Sequence, residues 1–220
     1  MLVRELIVND IPPIKTSDSG LFALSLMDEY RVNHLPIVNN EDFLGLISED
    51  DILGFDHPEE AIGSHKLSLV KPFVYEHKHI YEAIRLVAEM KLTIVPILNQ
   101  DNTYKGHITL QDLSFQFSRL ASLQEPGGML ILELNANDFS LQEIAQIAEV
   151  NDCRMLSFYV TTHPDSTKID LTIKFNKADI TAVIQGFDRY DYTVKASYTE
   201  NRFDEDWNDR FDEFMNYLNI

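Results

Sequence analysis

Cysteine occurs once, at Cys153, so no disulfide can close within the chain, and nothing in its cysteine usage points to an oxidising compartment. Basic residues are scarce as well. Eighteen Lys and Arg stand against 36 Asp and Glu, a formal net charge of −18, and a field of that sign repels phosphate backbones and anionic membrane surfaces. Nucleic acid and membrane are therefore not expected as partners. No stretch approaches the ~18 consecutive apolar residues of a membrane span. The opening Met1-Leu-Val-Arg-Glu-Leu carries charge by residue 4, so a cytoplasmic protein is the expectation. Glycine-rich phosphate loops and Gly-x-Ser-x-Gly nucleophile elbows are also missing, and no catalytic centre is expected. His77 and His79 would share one side of a strand, but no spacing supplies a third metal ligand, and no metal site is expected either.

What the chain does have is a repeat. Its 220 residues, 45% of them hydrophobic, suffice for two modest domains, each with its own core. Sliding the sequence by 60 positions lays Ala23 on Ala83, Leu26 on Leu86, Glu29 on Glu89, Pro36 on Pro96, Ile37 on Ile97 and Asn39 on Asn99. One inserted residue then moves the offset to 61. Beyond it Gly45-Leu-Ile-Ser48-Glu-Asp-Asp51 meets Gly106-His-Ile-Thr109-Leu-Gln-Asp112. Each copy predicts a helix over 19–31 or 79–91, from apolar positions at helical spacing. A strand over 35–38 or 95–98 follows, then a polar turn, a strand over 43–47 or 104–108, and a helix opening at Ser48 or Thr109. The expected fold of residues 1–122 is thus a pair of small α/β units, with repeats of about 1–60 and 61–122, whose apolar faces need each other for burial.

After Leu123 the texture changes. Residues 123–128, with the turn-rich Gln124-Glu-Pro-Gly-Gly128, read as a linker. The order that follows is strand 129–134, helix 140–150, strand 155–162, strand 168–175, helix 178–190 and strand 193–198. That is the βαββαβ sequence of a ferredoxin-like α+β domain over 129–198. Cys153 reads as a small buried hydrophobe. The tail, 199–220, places Phe203, Trp207, Phe211, Phe214 and Leu218 at spacings of four, four, three and four among acids, which predicts an acidic amphipathic helix.

The doubled hydroxyl and aspartate admit two readings. Ser48 with Asp51, and Thr109 with Asp112, fit the capping box, in which the two side chains satisfy backbone N–H groups at a helix start. On that reading the chain is a structural or interaction module without ligand. The alternative begins with the glycine three residues upstream, which would let a ligand approach the backbone. A helix N-terminus and a hydroxyl then face a phosphate, while a carboxylate one turn along accepts hydrogen bonds from a ribose.

Residues 1–122 resemble a tandem pair of cystathionine β-synthase (CBS) domains. The resemblance is carried by His34-Leu-Pro-Ile-Val38 with the Gly45 motif, and by Ile94-Val-Pro-Ile-Leu98 with the Gly106 motif. It implies a regulatory protein with two clefts for adenosine-type ligands, AMP, ADP or ATP among them; beside the carboxylates Glu49 and Asp50 a polyphosphate would need Mg²⁺ to screen it. It implies Asp51 and Asp112 at ribose and Ser48 and Thr109 near phosphate. His34, Leu35 and Pro36, and Ile94, Val95 and Pro96, would line the adenine slots. Glu49 and Asp50 crowd carboxylates around Ser48, so the Thr109/Asp112 cleft is the one expected to bind an anion. The order of elements in 129–198 resembles an ACT domain. The whole layout is similar to the acetoin-utilisation accessory proteins; the expected partner is a second copy in a homodimer or an unidentified protein target. ACT domains that bind amino acids carry a glycine in the first strand–helix loop. Asn135-Ala-Asn-Asp-Phe139 has none, so amino-acid binding is not expected.

Overall fold

The computed structural model describes residues 1–67, 69–164 and 166–199, so the expected tail helix lies outside the described residues. The chain divides into two compact units, Met1–Gln116 and Phe117–Ile220.

In the first unit both repeats build the same pieces. Repeat one runs α1 (Gly20–Tyr30), β1 (His34–Asn39), β2 (Asp42–Ser48) and α2 (Glu49–Leu53). Repeat two runs β3 (Val74–Tyr75), α3 (Ile80–Met90), β4 (Ile94–Leu98), β5 (Tyr104–Thr109) and α4 (Leu110–Leu120). Helix α1 starts where Ser19 Oγ accepts the N–H of Phe22 at 3.2 Å. Helix α3 starts where His79 Nδ1 accepts that of Tyr81 at 3.4 Å, so His79 serves as a helix cap. Both helices end on a left-handed residue, Arg31 (φ 56°) and Lys91 (φ 54°), which turns the chain into the following strand. The hairpins are antiparallel, with Ile37 opposite Gly45 and Ile97 opposite Gly106, and each bulges one residue later. The extra residue of repeat two is absorbed in its turn, where Asn99 Oδ1 accepts the N–H groups of Asp101 (3.0 Å) and Thr103 (2.8 Å).

Apolar side chains of both repeats meet in one cluster, beside a second that belongs to repeat two. Leu35, Ile37 and Ile47 pack in a cluster with Leu92, Ile94 and Leu98. Each such side chain contributes about 1.5–3 kcal/mol by leaving water, which is why neither hairpin is left to stand alone. The hairpin turns meet as well, with Tyr104 N donating to Glu41 O at 2.9 Å and the Phe43 and Tyr104 rings 6.4 Å apart.

The segments leading into the repeats are exchanged. Val8 exchanges backbone hydrogen bonds with His107 (2.9 and 3.1 Å), Leu2 bridges to His79, and Val3 joins the core of repeat two. In return the segment before repeat two serves repeat one: Ala61 bridges to Ser19, and Leu46 N donates to Val70 O at 3.0 Å. These crossings account for the motif glycines. A Cβ on Gly106 (φ 141°) would lie 2.7 Å from Val8 O and 2.6 Å from Ile7 Cγ2, and one on Gly45 (φ 156°) 2.9 Å from Val70 O. The close approach expected of a ligand is made by the chain's own backbone.

The second unit has the order β6 (Met129–Asn135), α5 (Leu141–Val150), β7 (Met155–Thr162), β8 (Lys168–Phe175), α6 (Thr181–Arg189) and β9 (Thr193–Tyr198). Its strands form an antiparallel sheet in the order β7-β8-β6-β9, the ferredoxin-like arrangement. Alternate strand residues, Leu130 and Leu132 with Leu171, Ile173 and Phe175, pack against Ile144, Ile147, Val183 and Phe187 of the helices. Buried Cys153 belongs to this cluster. Residues after α4 are tied to this sheet, since Ser157 Oγ donates to Ala121 O (2.7 Å) and buried Lys174 Nζ to Gly127 O (2.8 Å). Helix α6 starts three residues later than the spacing predicts, where Asp179 Oδ1 accepts the Thr181 N–H at 3.0 Å and competes with helical bonding of 178–180. Among the described residues no helix is long and apolar enough to cross a membrane.

Candidate functional site

A cavity of about 540 Å³ opens in the first unit beside the start of α4. That size suits a small organic ligand. It is lined by Thr109, Leu110, Gln111 and Asp112 where β5 passes into α4, by Tyr30, Arg31 and Val32 at the end of α1, by Thr93, and by Asp10 and Ile11. Two of its charged side chains are carboxylates and one is a guanidinium.

Both doubled motifs are closed as helix caps. At the cavity, Asp112 Oδ2 accepts the hydroxyl of Thr109 at 2.6 Å and its N–H at 3.2 Å, while the Asp112 N–H donates to Thr109 Oγ1 at 3.0 Å. In repeat one, Asp51 Oδ2 accepts from Ser48 Oγ (2.6 Å) and N (2.9 Å), and the Asp51 N–H donates to Ser48 Oγ (3.1 Å). The capping reading is thus a fact of the structure. It does not exhaust the groups, however. The two bonds that the Asp112 carboxylate accepts both fall on Oδ2 and leave Oδ1 to accept from elsewhere. At the tip of α4, Leu110 N donates to Thr93 O (3.0 Å) and Asp112 N to Thr109; the Gln111 N–H, on the cavity wall, is not used by either bond. An eleven-residue helix directs its positive end here.

The other expected residues sit elsewhere. Ile94, Val95 and Pro96, like Leu35 and Pro36, are buried in the strands β4 and β1 and do not line the cavity. His34 is half-buried, with its Nδ1 3.1 Å from Thr93 Oγ1. Burial lowers its pKa against the opposing pull of Asp51 and Asp50. Ser48 and Asp51 stand on the repeat-one side of this contact, where Glu49 Oε2 accepts from Asn33 Nδ2 at 2.9 Å. Of the ten nominated residues, Thr109 and Asp112 are the two that share the cavity.

Residues 3–57 match the CBS domain family model. The match spans the first repeat and its Ser48/Asp51 pair; the second repeat has the same arrangement of α3, β4, β5 and α4. Among curated relatives, inosine-5'-monophosphate dehydrogenase of Methanocaldococcus jannaschii is 27% identical over 112 residues, which is 50% of this chain and 22% of that enzyme. The chain therefore spans under a quarter of that relative's length. Among solved structures, a CBS domain pair/ACT domain protein from Thermotoga maritima is 24% identical (TM-score 0.49), covering 54% of this chain and 98% of the other. CBSX2 from Arabidopsis thaliana, in complex with AMP, is 21% identical (TM-score 0.46), covering 54% and 96%.

Sequence reasoning missed Asp10, Ile11, Arg31 and Thr93. Arg31 left a trace, since Arg31 and Lys91 are basic residues at equivalent places after both helices. Asp10 left none, because it reaches the cavity through the exchange of leading segments. There Asp10 Oδ1 accepts the Ile11 N–H (3.1 Å) and lies 3.1 Å from Nε2 of His107, whose side chain is 0% exposed. On the other side of the ring, Nδ1 is 3.4 Å from the Tyr104 hydroxyl. Burial lowers the His107 pKa and raises that of Tyr104; Asp10 and Asp112 oppose the shift on the imidazole.

Elsewhere, His77 and His79 are exposed, and no cluster of metal-ligating side chains occurs among the described residues. In the second unit a cavity of about 270 Å³ beside the 135–138 turn is lined by Glu133, Asp138, Glu143 and Asp191, a wall that opposes the carboxylate of an amino acid.

Proposed function

We propose that this protein is a regulatory sensor whose first unit binds an adenosine-containing ligand, an adenine nucleotide of the AMP, ADP or ATP type, in the cavity beside α4. The observation that carries the reading is the meeting, around one 540 Å³ cavity, of the Thr109 hydroxyl, the start of α4 and the Asp112 carboxylate. Phosphate at a helix tip and ribose at a carboxylate are the contacts these groups make best. Arg31 supplies the cavity's cationic side chain and faces the anionic end of the ligand. With two acids lining the cavity, a polyphosphate requires Mg²⁺ to offset its charge, so the monophosphate is the better fit. The match of residues 3–57 to CBS domains supports the same reading. The ligand favours one arrangement of the pair, and the ferredoxin-like domain, ACT-like in its order, passes this to a homodimer contact or a protein target.

The test is titration calorimetry of the full chain with AMP, ADP and ATP, the last two with and without Mg²⁺, alongside thermal unfolding. Saturable binding with a raised unfolding temperature is expected. Absence of heat and of any shift at millimolar AMP, ADP and ATP defeats the proposal. The closed caps favour a second reading, an interaction module whose hydroxyl–aspartate pairs only end strands and begin helices. That outcome is the one such a null result would support.

A further inference from the structure

We infer that Asp10 reads the base of the ligand, accepting a hydrogen bond from the exocyclic amino group of adenine and so rejecting 6-oxopurines. This rests on the adenosine reading above and adds to it a specificity-determining residue outside both repeated motifs. The argument begins with the placement of the two acids. His107 and Thr109 are two residues apart on β5 and point to the same side of the strand, roughly 7 Å from each other along it. Asp10 is held at His107 and Asp112 at Thr109. The carboxylates therefore occupy successive stations along one wall of the cavity, with Asp112 next to the helix tip and Asp10 further from it. A nucleotide with its phosphate at the α4 tip and its ribose at Asp112 directs its base toward Asp10.

The second step concerns what Asp10 can offer. Its contacts with Ile11 N–H and His107 both fall on Oδ1. The ring between Asp10 and Tyr104 completes one consistent set of bonds: the Tyr104 O–H donates to Nδ1, and Nε2–H donates to the carboxylate. Oδ2 remains, on a side chain 65% exposed and lining the cavity. A fixed, charged oxygen at that place is an acceptor that cannot switch roles. At the 6-position adenine presents an N–H to it, whereas a 6-oxopurine presents there a carbonyl oxygen that the carboxylate repels, its N1–H donor lying one ring position away. His107 is a positioning residue, fully buried and tied to the leading segment by its backbone as well as its ring.

The substitution Asp10→Asn keeps the shape and the Oδ1 contacts but replaces the free acceptor with an N–H donor. Dissociation constants for AMP and IMP are measured by calorimetry on the full chain, as wild type, Asp10→Asn and His107→Gln. Wild type is expected to prefer AMP by about tenfold or more, the worth of one charge-assisted hydrogen bond. Asp10→Asn should shrink that preference at least tenfold by weakening AMP and improving IMP, and His107→Gln should shrink it in part. If AMP binds but IMP binds equally well, or if the preference survives Asp10→Asn, the role of Asp10 is refuted while the adenosine reading stands. If wild type binds neither of these, nor ADP or ATP, both fall together; binding of ADP or ATP with no measurable AMP overturns the role of Asp10 alone when Asp10→Asn leaves that binding unchanged. Should Asp10→Asn fail to fold, an unchanged preference in His107→Gln overturns the inference by itself.

Discussion

The two caps are near-copies, and that duplication supplies its own control for the role of Asp112. Asp112→Ala removes the acceptor of the Thr109 hydroxyl (2.6 Å) and N–H (3.2 Å); Asp51→Ala removes the acceptor of the Ser48 hydroxyl (2.6 Å) and N–H (2.9 Å). Each loss of a capping contact with its favourable charge at a helix start costs about 1–2 kcal/mol. At about 2–4 °C per kcal/mol for a chain of this size, both variants without ligand should unfold some 2–8 °C below wild type. Their responses to AMP should then part. Wild type and Asp51→Ala gain about 2.7 kcal/mol at a ligand concentration 100 times the dissociation constant. Asp112→Ala gains little, because the ribose acceptor is gone from the cavity. The assay is differential scanning fluorimetry with and without AMP, checked by calorimetric titration of the three proteins. Equal AMP responses in the two variants would refute the assignment, since the cap loss is common to both and only Asp112 lines the cavity.

Arg31→Ala should weaken AMP about three- to tenfold and leave adenosine unchanged, because an exposed guanidinium contributes about 1 kcal/mol to a phosphate and nothing to a neutral nucleoside; competition binding with the two ligands checks it. Gly106→Ala should lower stability by about 2–4 kcal/mol, combining backbone strain at φ 141° with a Cβ 2.7 Å from Val8 O, and urea unfolding measures it. Stability should also fall on acidification below pH 6.5. Burial holds His107 (facing Asp10 and Asp112) and His34 (facing Asp50 and Asp51) below their ordinary value of 6.5, so the unfolded chain takes up protons first. The stabilisation is therefore present above pH 6.5 and is lost as pH drops toward the folded-state values. Urea unfolding between pH 5 and 8 should show that slope, and His34→Gln should reduce it.

Local patterns carried most of the fold. Helices expected over 19–31 and 79–91 are Gly20–Tyr30 and Ile80–Met90, and the strands of the second unit at 155–162, 168–175 and 193–198 run over those same residues. Apolar period, capping residues and Asn-rich turns act over a few positions, so a single sequence displays them. The pairings of Val8 with His107 and of Val70 with Leu46 were not legible. They join residues far apart in the chain through single bridges that leave no periodicity, and they bring Asp10 to the cavity. The glycines of the repeated motif were visible as glycines, but their cause, a crossing backbone, was not. The Thr109/Asp112 pair could be nominated because it is doubled; Thr93, whose counterpart is Asn33, could not.

The exchange of leading segments separates the unit of duplication from the unit of cooperativity. A fragment cut at the sequence repeat, near residue 60, would leave repeat one without Val70 along Leu46, and repeat two without Val3 in its core or Val8 over Gly106. Neither half owns all of its walls. The pair is therefore interlocked like two clasped hands, so loosening of the first ten residues is felt first in the second repeat and in the cavity lining that Asp10 supplies.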